Sequence, residues 1–269
     1  MSKILNKIFT DKKEELVETR RRRPLLELKN LVSEQQPCKN VINALNPSQC
    51  NSSRIIAELK SRTPFRGEIR TNFDPVSIAR DYADNGAAII SILTESRYFG
   101  GNLDYLVDVR ARVDIPLLRK DFIFDEYQVF ESRAFGGDLF LLIAMSLEIH
   151  HLEDLMALGD ELGLLALVET HNEYDMEKAF RIGARIIGIN NRDLTNGKTD
   201  LNISRRLLKM NGIKSDMIIV CESGITTRTE IVEFEKLGVH AFLIGESLMK
   251  TDDIPAKLKN LQGQGVNAG

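Results

Sequence analysis

The chain contains no tryptophan and only three cysteines, Cys38, Cys50 and Cys221, none of them in a C-x-x-C pair. Few, odd in number and widely spaced, they suggest neither a disulfide framework nor a structural zinc site. Long apolar runs are missing too: none reaches the ~18 to 20 residues that crossing a bilayer requires. Residues 1–23 are charged and carry no apolar core of a secretory signal, so the cytoplasm is the expected compartment. Neither sign of charge is in excess. The formal net charge is -3, far from the basic surplus of a general nucleic-acid binder. No G-x-G-x-x-G follows an early strand, which removes the fingerprint of a dinucleotide-binding half. The four histidines, His150, His151, His171 and His240, make no metal-ligand pattern with nearby carboxylates, and no nucleophile elbow occurs. No metal site, no membrane and no nucleic acid is expected, and a monomer is the starting assumption.

What the sequence does hold is a repeat. After a polar stretch, eight short runs rich in Ile, Leu and Val recur at residues 54–59, 88–93, 115–118, 139–144, 164–168, 186–189, 217–221 and 241–244. Most lack polar alternation, as strands buried on both faces of a parallel sheet do. The spacing between successive starts leaves room each time for a strand, a helix and two loops. Helical signals fill the intervals: Asp74-Pro75 as N-cap and first helical residue, and Thr227 with Glu230 at capping-box spacing. Gly86, Gly136, Gly183 and Gly238 fall where a helix ends and a strand begins. Eight βα units predict an α/β protein, a single closed (β/α)8 barrel. Residues 1–50 lie outside the repeat. Helical spacing at Ile4, Leu5, Ile8 and Phe9, and again from Leu25, Leu26 and Leu28, makes them a helical extension that caps the barrel of residues 51–269. The run of arginines at 20–23 reads as a solvated helix face that assists capture of an anionic substrate.

Chemistry in such a barrel sits at the C-terminal ends of the strands. Here those ends are polar: Glu58 and Lys60 after the first run, Thr94 and Glu95 after the second, and Arg119, Lys120 and Asp121 after the third. Glu169, Asn190 with Asn191 and Arg192, and Glu222 with Ser223 end the fifth, sixth and seventh. Any one of these could be a solvated loop charge, and Arg119 and Asp121 could simply pair with neighbours. Glu58, Lys60, Lys120 and Glu169 around one pocket can shift one another's pKa and divide acid and base roles. Glu222-Ser223-Gly224-Ile225 and Ile244-Gly245-Glu246-Ser247 each put glycine and a small polar residue at a strand-to-helix turn. Loops at these two places commonly bind phosphate through backbone N–H groups, so a phosphorylated ligand is expected.

Several of these segments resemble the indole-3-glycerol-phosphate synthase family. They are Ile55-Ile56-Ala57-Glu58-Leu59-Lys60, Leu93-Thr94-Glu95 with Tyr98-Phe99-Gly100-Gly101, and the distinctive Pro116-Leu117-Leu118-Arg119-Lys120-Asp121-Phe122-Ile123. Leu167-Val168-Glu169, Gly188-Ile189-Asn190-Asn191-Arg192-Asp193-Leu194, Glu222-Ser223-Gly224-Ile225 and Gly245-Glu246-Ser247-Leu248-Met249 follow in order. The resemblance implies closure of an indole ring on 1-(2-carboxyphenylamino)-1-deoxyribulose 5-phosphate, with loss of carbon dioxide and water and without a cofactor. It gives Lys120 the role of acid in ring closure, and leaves Lys60, Glu58 and Glu169 to share the second acid and the base. Asn190, Glu222, Arg192 and Ser223 would hold the sugar, and Phe99, Phe122 and Leu141 would wall the aromatic ring. Gly224, Gly245, Glu246 and Ser247 would take the phosphate, with Lys60 assisting. The chain departs from the family at Thr63-Pro64-Phe65, where Ser-Pro-Ser is usual, and at Asn102, where a serine is usual. These departures bear on loop behaviour, and Phe65 is expected to pack against the N-terminal cap or the substrate ring. Two other readings compete. A phosphoribosylanthranilate isomerase would want a cysteine base at the first strand end, and a non-catalytic phosphate-binding relative would not need both lysines and Glu169.

Overall fold

The computed structural model describes residues 3–49 and 52–264, so Cys50 lies outside the described residues. Three helices come first: α1 (Lys3–Arg22), α2 (Leu25–Glu34) and α3 (Val41–Leu45). Eight strands follow, β1 (Arg54–Leu59), β2 (Ile89–Leu93), β3 (Leu117–Lys120), β4 (Leu139–Ile143), β5 (Leu165–Thr170), β6 (Ile186–Asn190), β7 (Ile218–Glu222) and β8 (Ala241–Ile244). Between and after them run α4 (Pro75–Asp84), α5 (Asp104–Arg110), α6 (Glu126–Ala134), α7 (Ile149–Glu161), α8 (Glu173–Arg181), α9 (Asn202–Leu207), α10 (Arg228–Lys236), α11 (Glu246–Met249) and α12 (Ile254–Gln262). All neighbouring strands are parallel, and β8 returns to β1 from Arg54↔Ala241 to Ala57↔Ile244, which closes the barrel. This is the expected (β/α)8 architecture.

Local signals act where they were read. Asp74 accepts from the N–H groups of Val76 and Ser77, and Thr227 and Glu230 form a reciprocal capping box. Several strands, however, run further than their apolar runs. The 115–118 run is displaced to Leu117–Lys120, and the fifth, sixth and seventh strands extend into Glu169-Thr170, Asn190 and Glu222. Backbone pairing continues past the last apolar side chain, because the upper barrel lumen is lined by polar groups. Pro116 has no N–H to give the ladder, but its carbonyl accepts from Ile90 just below the strand.

Alternation along each strand sorts side chains into two sets. Ile55, Ala57, Leu117, Phe140, Val168, Ile187, Ile219 and Phe242 belong to the layer shared with the outer helices. Ile56, Leu118, Leu139, Leu141, Leu167, Ile186, Val220 and Leu243 fill the lumen. Val41 and Leu45 of α3 join the lumen cluster and are buried, so α3 plugs the barrel floor. At the opposite end α1 lies across the loops after β2 and β3. Phe9 stands edge-on to Phe122 at 5.6 Å between ring centres, and Lys12 is buried with Asp121 at 3.2 Å. Arg20 pairs with Asp125 and lies over Tyr127, while Arg23 lies over Phe135 and pairs with Glu27. Arg20 and Arg23 thus help seat α1 and α2 on α6, Arg21 and Arg22 are exposed, and none of the four lines the cavity described next. No described helix is long and apolar enough to cross a membrane.

Candidate active site

Two residues further up each strand from the lumen core stands the polar mouth. Ile56 is followed on the same face by Glu58 and Lys60, Leu118 by Lys120, Leu167 by Glu169, Ile186 by Gly188 and Asn190, and Val220 by Glu222. The register sets neighbours level, Glu169 with Gly188 and Asn190 with Glu222. The result is a cavity of about 380 Å³ at the C-terminal ends of the strands. Every residue expected at the site lines it: Glu58, Lys60, Phe99, Lys120, Phe122, Leu141, Glu169, Asn190, Arg192, Glu222, Ser223, Gly224, Gly245, Glu246 and Ser247.

Lys120 is the electrostatic centre. Its Nζ lies 2.8 Å from Glu169 Oε2 and 3.3 Å from Glu222 Oε2. Burial disfavours the ammonium, but Glu169, Glu222 and Glu58 outweigh it and hold the lysine well above its ordinary range. Glu169 is likewise opposed by burial, yet Lys120, His171 and a hydrogen bond from Asn190 keep it ionised, down to about 2. Glu222 goes the other way. It is buried, and it faces the charge already on Glu169, so its carboxyl is pushed up despite Lys120. Two carboxyl groups in one dry corner are thus pushed in opposite directions. A second ion pair, Lys60 with Glu58, stands across the mouth. Glycine makes the room for both acidic residues. A Cβ at Gly188 would stand 2.0 Å from Glu222 Oε1, and one at Gly245 would stand 2.3 Å from Glu58 Oε2.

The mouth between β7 and β8 is built differently. Ser223 takes φ 63, a left-handed conformation costing a non-glycine residue roughly 1–2 kcal/mol, and Gly224 follows at φ 89. Glu246 is opposed by burial but held ionised by Lys250, Arg66 and Arg192, with Lys250 at 2.7 Å and Arg192 at 3.3 Å. Three cations surround one carboxylate, which leaves this rim positive. Ser247 Oγ is buried without a hydrogen-bond partner among the described residues, and the residue lines the cavity. Such an atom calls for a ligand.

Other charged strand ends serve structure. Arg119 and Asp121 alternate outward from Lys120 and join Glu131, Thr94 and Lys12 in a buried network. Glu95 accepts from the N–H groups of Arg97, Tyr98 and Phe99 and so fixes the loop that carries Phe99. Ring centres of Phe99 and Phe122 are 6.0 Å apart on one wall. Cys221, buried on β7, faces Asn191 and Ser204, and burial pushes its thiol up to about 11. His150 is exposed beside Glu153, whereas His171 stands 3.4 Å from Glu169 Oε1.

The departures find places as well. Residues 62–63 and 67–68 form a small hairpin after β1, in which Thr63 Oγ1 accepts from Arg66 N–H. Phe65 lies against Gly197 on the loop after β6, where a Cβ would come within 2.5 Å of its ring, and lines the cavity. Asn102 Oδ1 accepts from Asp104 N–H at the start of α5. Sequence reasoning missed Arg66, Lys250 and Gly188, and gave Asn191 and His171 no role at the site. Lys250 sits four residues after Glu246, and that helical spacing could have revealed it.

Solved structures of similar shape include 3-hexulose-6-phosphate synthase (TM-score 0.62, 17% identity, 78% of this chain and 98% of the other). Thiamine phosphate pyrophosphorylase from Pyrococcus furiosus is another (TM-score 0.57, 17% identity, 82% and 96%). At such identity they speak for the barrel alone. Sequence likeness reaches further. The indole-3-glycerol phosphate synthase of Laribacter hongkongensis (strain HLHK9) is 42% identical over 97% of this chain and 99% of its own length. That of Dehalococcoides mccartyi (strain CBDB1) is 45% identical over 96% and 99%. The profile of indole-3-glycerol phosphate synthase matches residues 5–261, and the chain belongs to that family.

Proposed function

We propose that the cavity converts 1-(2-carboxyphenylamino)-1-deoxyribulose 5-phosphate to indole-3-glycerol phosphate, with Lys120 as the acid of ring closure. The observation that carries this reading is the Lys120 ammonium fixed between Glu169 and Glu222 at the barrel mouth. As the carboxylate-bearing ring carbon attacks the ketone carbon, the ketone oxygen gathers negative charge. A preorganised ammonium in a dry site is the group that stabilises and protonates it. The ring then releases its carboxylate as carbon dioxide, and the bonding pair restores aromaticity. Dehydration follows, with the new hydroxyl leaving as water on a proton from Lys60 of the Lys60–Glu58 pair. Glu169, held ionised, takes the proton from the sugar carbon bonded to nitrogen, and the 2.8 Å contact lets that proton return to Lys120. Asn190, Arg192, Glu222 and Ser223 hold the sugar chain, and Phe99, Phe122 and Leu141 flank the aromatic ring. The positive rim with Gly224, Gly245, Glu246 and Ser247 takes the phosphate.

Residues 1–50 serve in this reading as an extension of the 51–269 barrel, since Phe9, Lys12, Leu28, Val41 and Leu45 are buried against it. A single chain supplies every group, so a monomer suffices, and free thiols at Cys38 and Cys221 suit the cytoplasm. Incubation with the carboxyphenylamino-ribulose phosphate should give indole fluorescence. Lys120→Ala, still folded, should lose turnover by at least ~10²-fold. A folded variant with near-wild-type turnover would reject the role of Lys120, and no indole product from the wild-type chain would reject the reaction.

A further inference from the structure

Asn190 and Asn191 are adjacent at the end of β6, but only Asn190 faces the cavity. Asn191 is fully buried on the other side, and each of its side-chain polar atoms is engaged. Its Nδ2 donates to Glu222 O at 3.0 Å and to Ser223 O at 3.2 Å, with Cys221 Sγ at 3.2 Å. Its Oδ1 accepts from Ser204 N–H at 3.1 Å and from Ser204 Oγ at 2.8 Å. The backbone adds further stitches: Asn191 N–H donates to Glu222 O, and Asp200 N–H donates to Asn191 O, both at 2.9 Å. One residue therefore ties the end of β7 to the loop after β6 and to α9.

The tie falls where the chain is strained. Ser223 holds a left-handed φ of 63 with a side chain that disfavours it. Strain of this kind persists only where the surroundings over-determine it. In a trans peptide the C=O and the following N–H point in opposite directions, and no cis bond occurs among the described residues. With Ser223 O drawn outward to Asn191, the N–H of Gly224 is turned the opposite way, toward the mouth that Gly224 lines. The Gly224 turn also leans on the stitched segment. A Cβ there would meet Leu201 at 3.1 Å and Thr199 at 3.4 Å.

We propose that Asn191 is a positioning residue for the substrate phosphate: its buried amide holds Ser223 O so that Gly224 N–H is aimed into the anion site. This rests on the reading that the rim between β7 and β8 takes the phosphate. Asn191→Asp keeps the shape but replaces the donor with an oxygen that faces two carbonyls. The measurement is kcat/KM on two substrates, the ribulose phosphate and its dephosphorylated counterpart, in wild type and variant. Wild type should prefer the phosphorylated substrate, and the variant should lose about tenfold or more of that preference, the scale of one buried acceptor left unpaired. The loss should appear in KM more than in kcat, and the competitive inhibition constant of inorganic phosphate should rise in parallel. Equal slowing of both substrates marks a merely structural role and overturns the inference. A wild type that shows no preference for phosphate overturns the anion-site reading, and the inference with it. If Asn191→Asp does not fold, Ser204→Ala decides. It keeps both Asn191 donors but frees the amide from its Oγ anchor, and should show the same phosphate-selective loss on a smaller scale, while an unchanged preference overturns the inference.

Discussion

Gly188 offers the sharpest test of how the acidic residues are placed. It lies on β6 beneath the Glu222 carboxyl, and a Cβ built there stands 2.0 Å from Glu222 Oε1. Ordinary contact begins at 3.4 Å, so Gly188→Ala obliges that oxygen to retreat by more than an ångström. Leu167, 3.3 Å from the same Cβ, limits the alanine's own room to shift. Glu222 Oε2 now stands 3.3 Å from Lys120 Nζ, and a shift of that size in the carboxyl disturbs this contact. Misplacement by roughly 1 Å costs on the order of 10²-fold in rate, which is about 2.7 kcal/mol of barrier. Gly188→Ala should therefore lower kcat/KM by about 10²-fold. Overpacking should take only ~1–3 kcal/mol from stability, so circular dichroism and thermal unfolding should show a folded barrel. The decisive comparison is a double-mutant cycle followed by indole fluorescence. In a Glu222→Ala background the carboxyl is gone, and Gly188→Ala should cost almost nothing further. The same loss in both backgrounds would refute the account, because the alanine would then be acting through something other than Glu222.

Three more outcomes follow from the geometry. Phe65→Ser removes the ring that rests on Gly197 and should change steady-state turnover, while the single-turnover rate in stopped flow stays within about threefold, under ~0.7 kcal/mol; equal shifts in both rates would place Phe65 in the chemical step. The Asp121 carboxyl is opposed by burial but held far below its usual range by Lys12 and Arg119, so its pairing stabilises the fold above the unfolded value of ~3.9 and fades as pH falls below it. Asp121→Asn should cost ~3–5 kcal/mol at pH 7, and the gap to wild type in thermal unfolding should narrow below about pH 4; a gap constant down to pH 3 contradicts this. Crystals soaked in sulfate should show the anion at the Gly224 and Gly245–Ser247 turns, and density only elsewhere on the barrel would count against the phosphate site.

The barrel was legible in the spacing of eight apolar runs, and the site in the polar residues that end them. What the apolar pattern could not show was where pairing stops. Lys120, Asn190 and Glu222 are strand residues whose side chains interrupt the hydrophobic signal, and only the ladder places them in β3, β6 and β7. Alternation did separate Lys120 from Arg119 and Asp121 in principle, since neighbours on a strand face opposite ways. Sequence alone held no sign of which face bore the cavity until the lumen core was known. Gly188 carried no reading of its own and Gly245 was read only as part of a phosphate turn, because the groups they make room for, Glu222 and Glu58, lie on other strands. Phe65 lines the cavity, where the substrate ring was one of its two expected partners, but its contact with Gly197 was not foreseen, as that residue is distant in sequence and has no side chain to announce it.

Closure of the ring between its first and last strands also governs how the enzyme is made. β1 emerges early, yet β8, whose Ala241 stands level with Arg54, is the last of the eight strands to leave the ribosome. Lys12 of the first helix must likewise wait for Asp121, which follows the third strand. Until β8 is in place, β1 presents an open edge able to pair with another chain. Glu58 also lacks Gly245, over which its carboxyl lies, and the rim lacks Glu246 and Ser247. A ribosome stalled before residue 241 would thus release a chain that is both sticky and inert. Activity appears only with the last strand, so appearance of indole during synthesis would time the completion of the barrel itself.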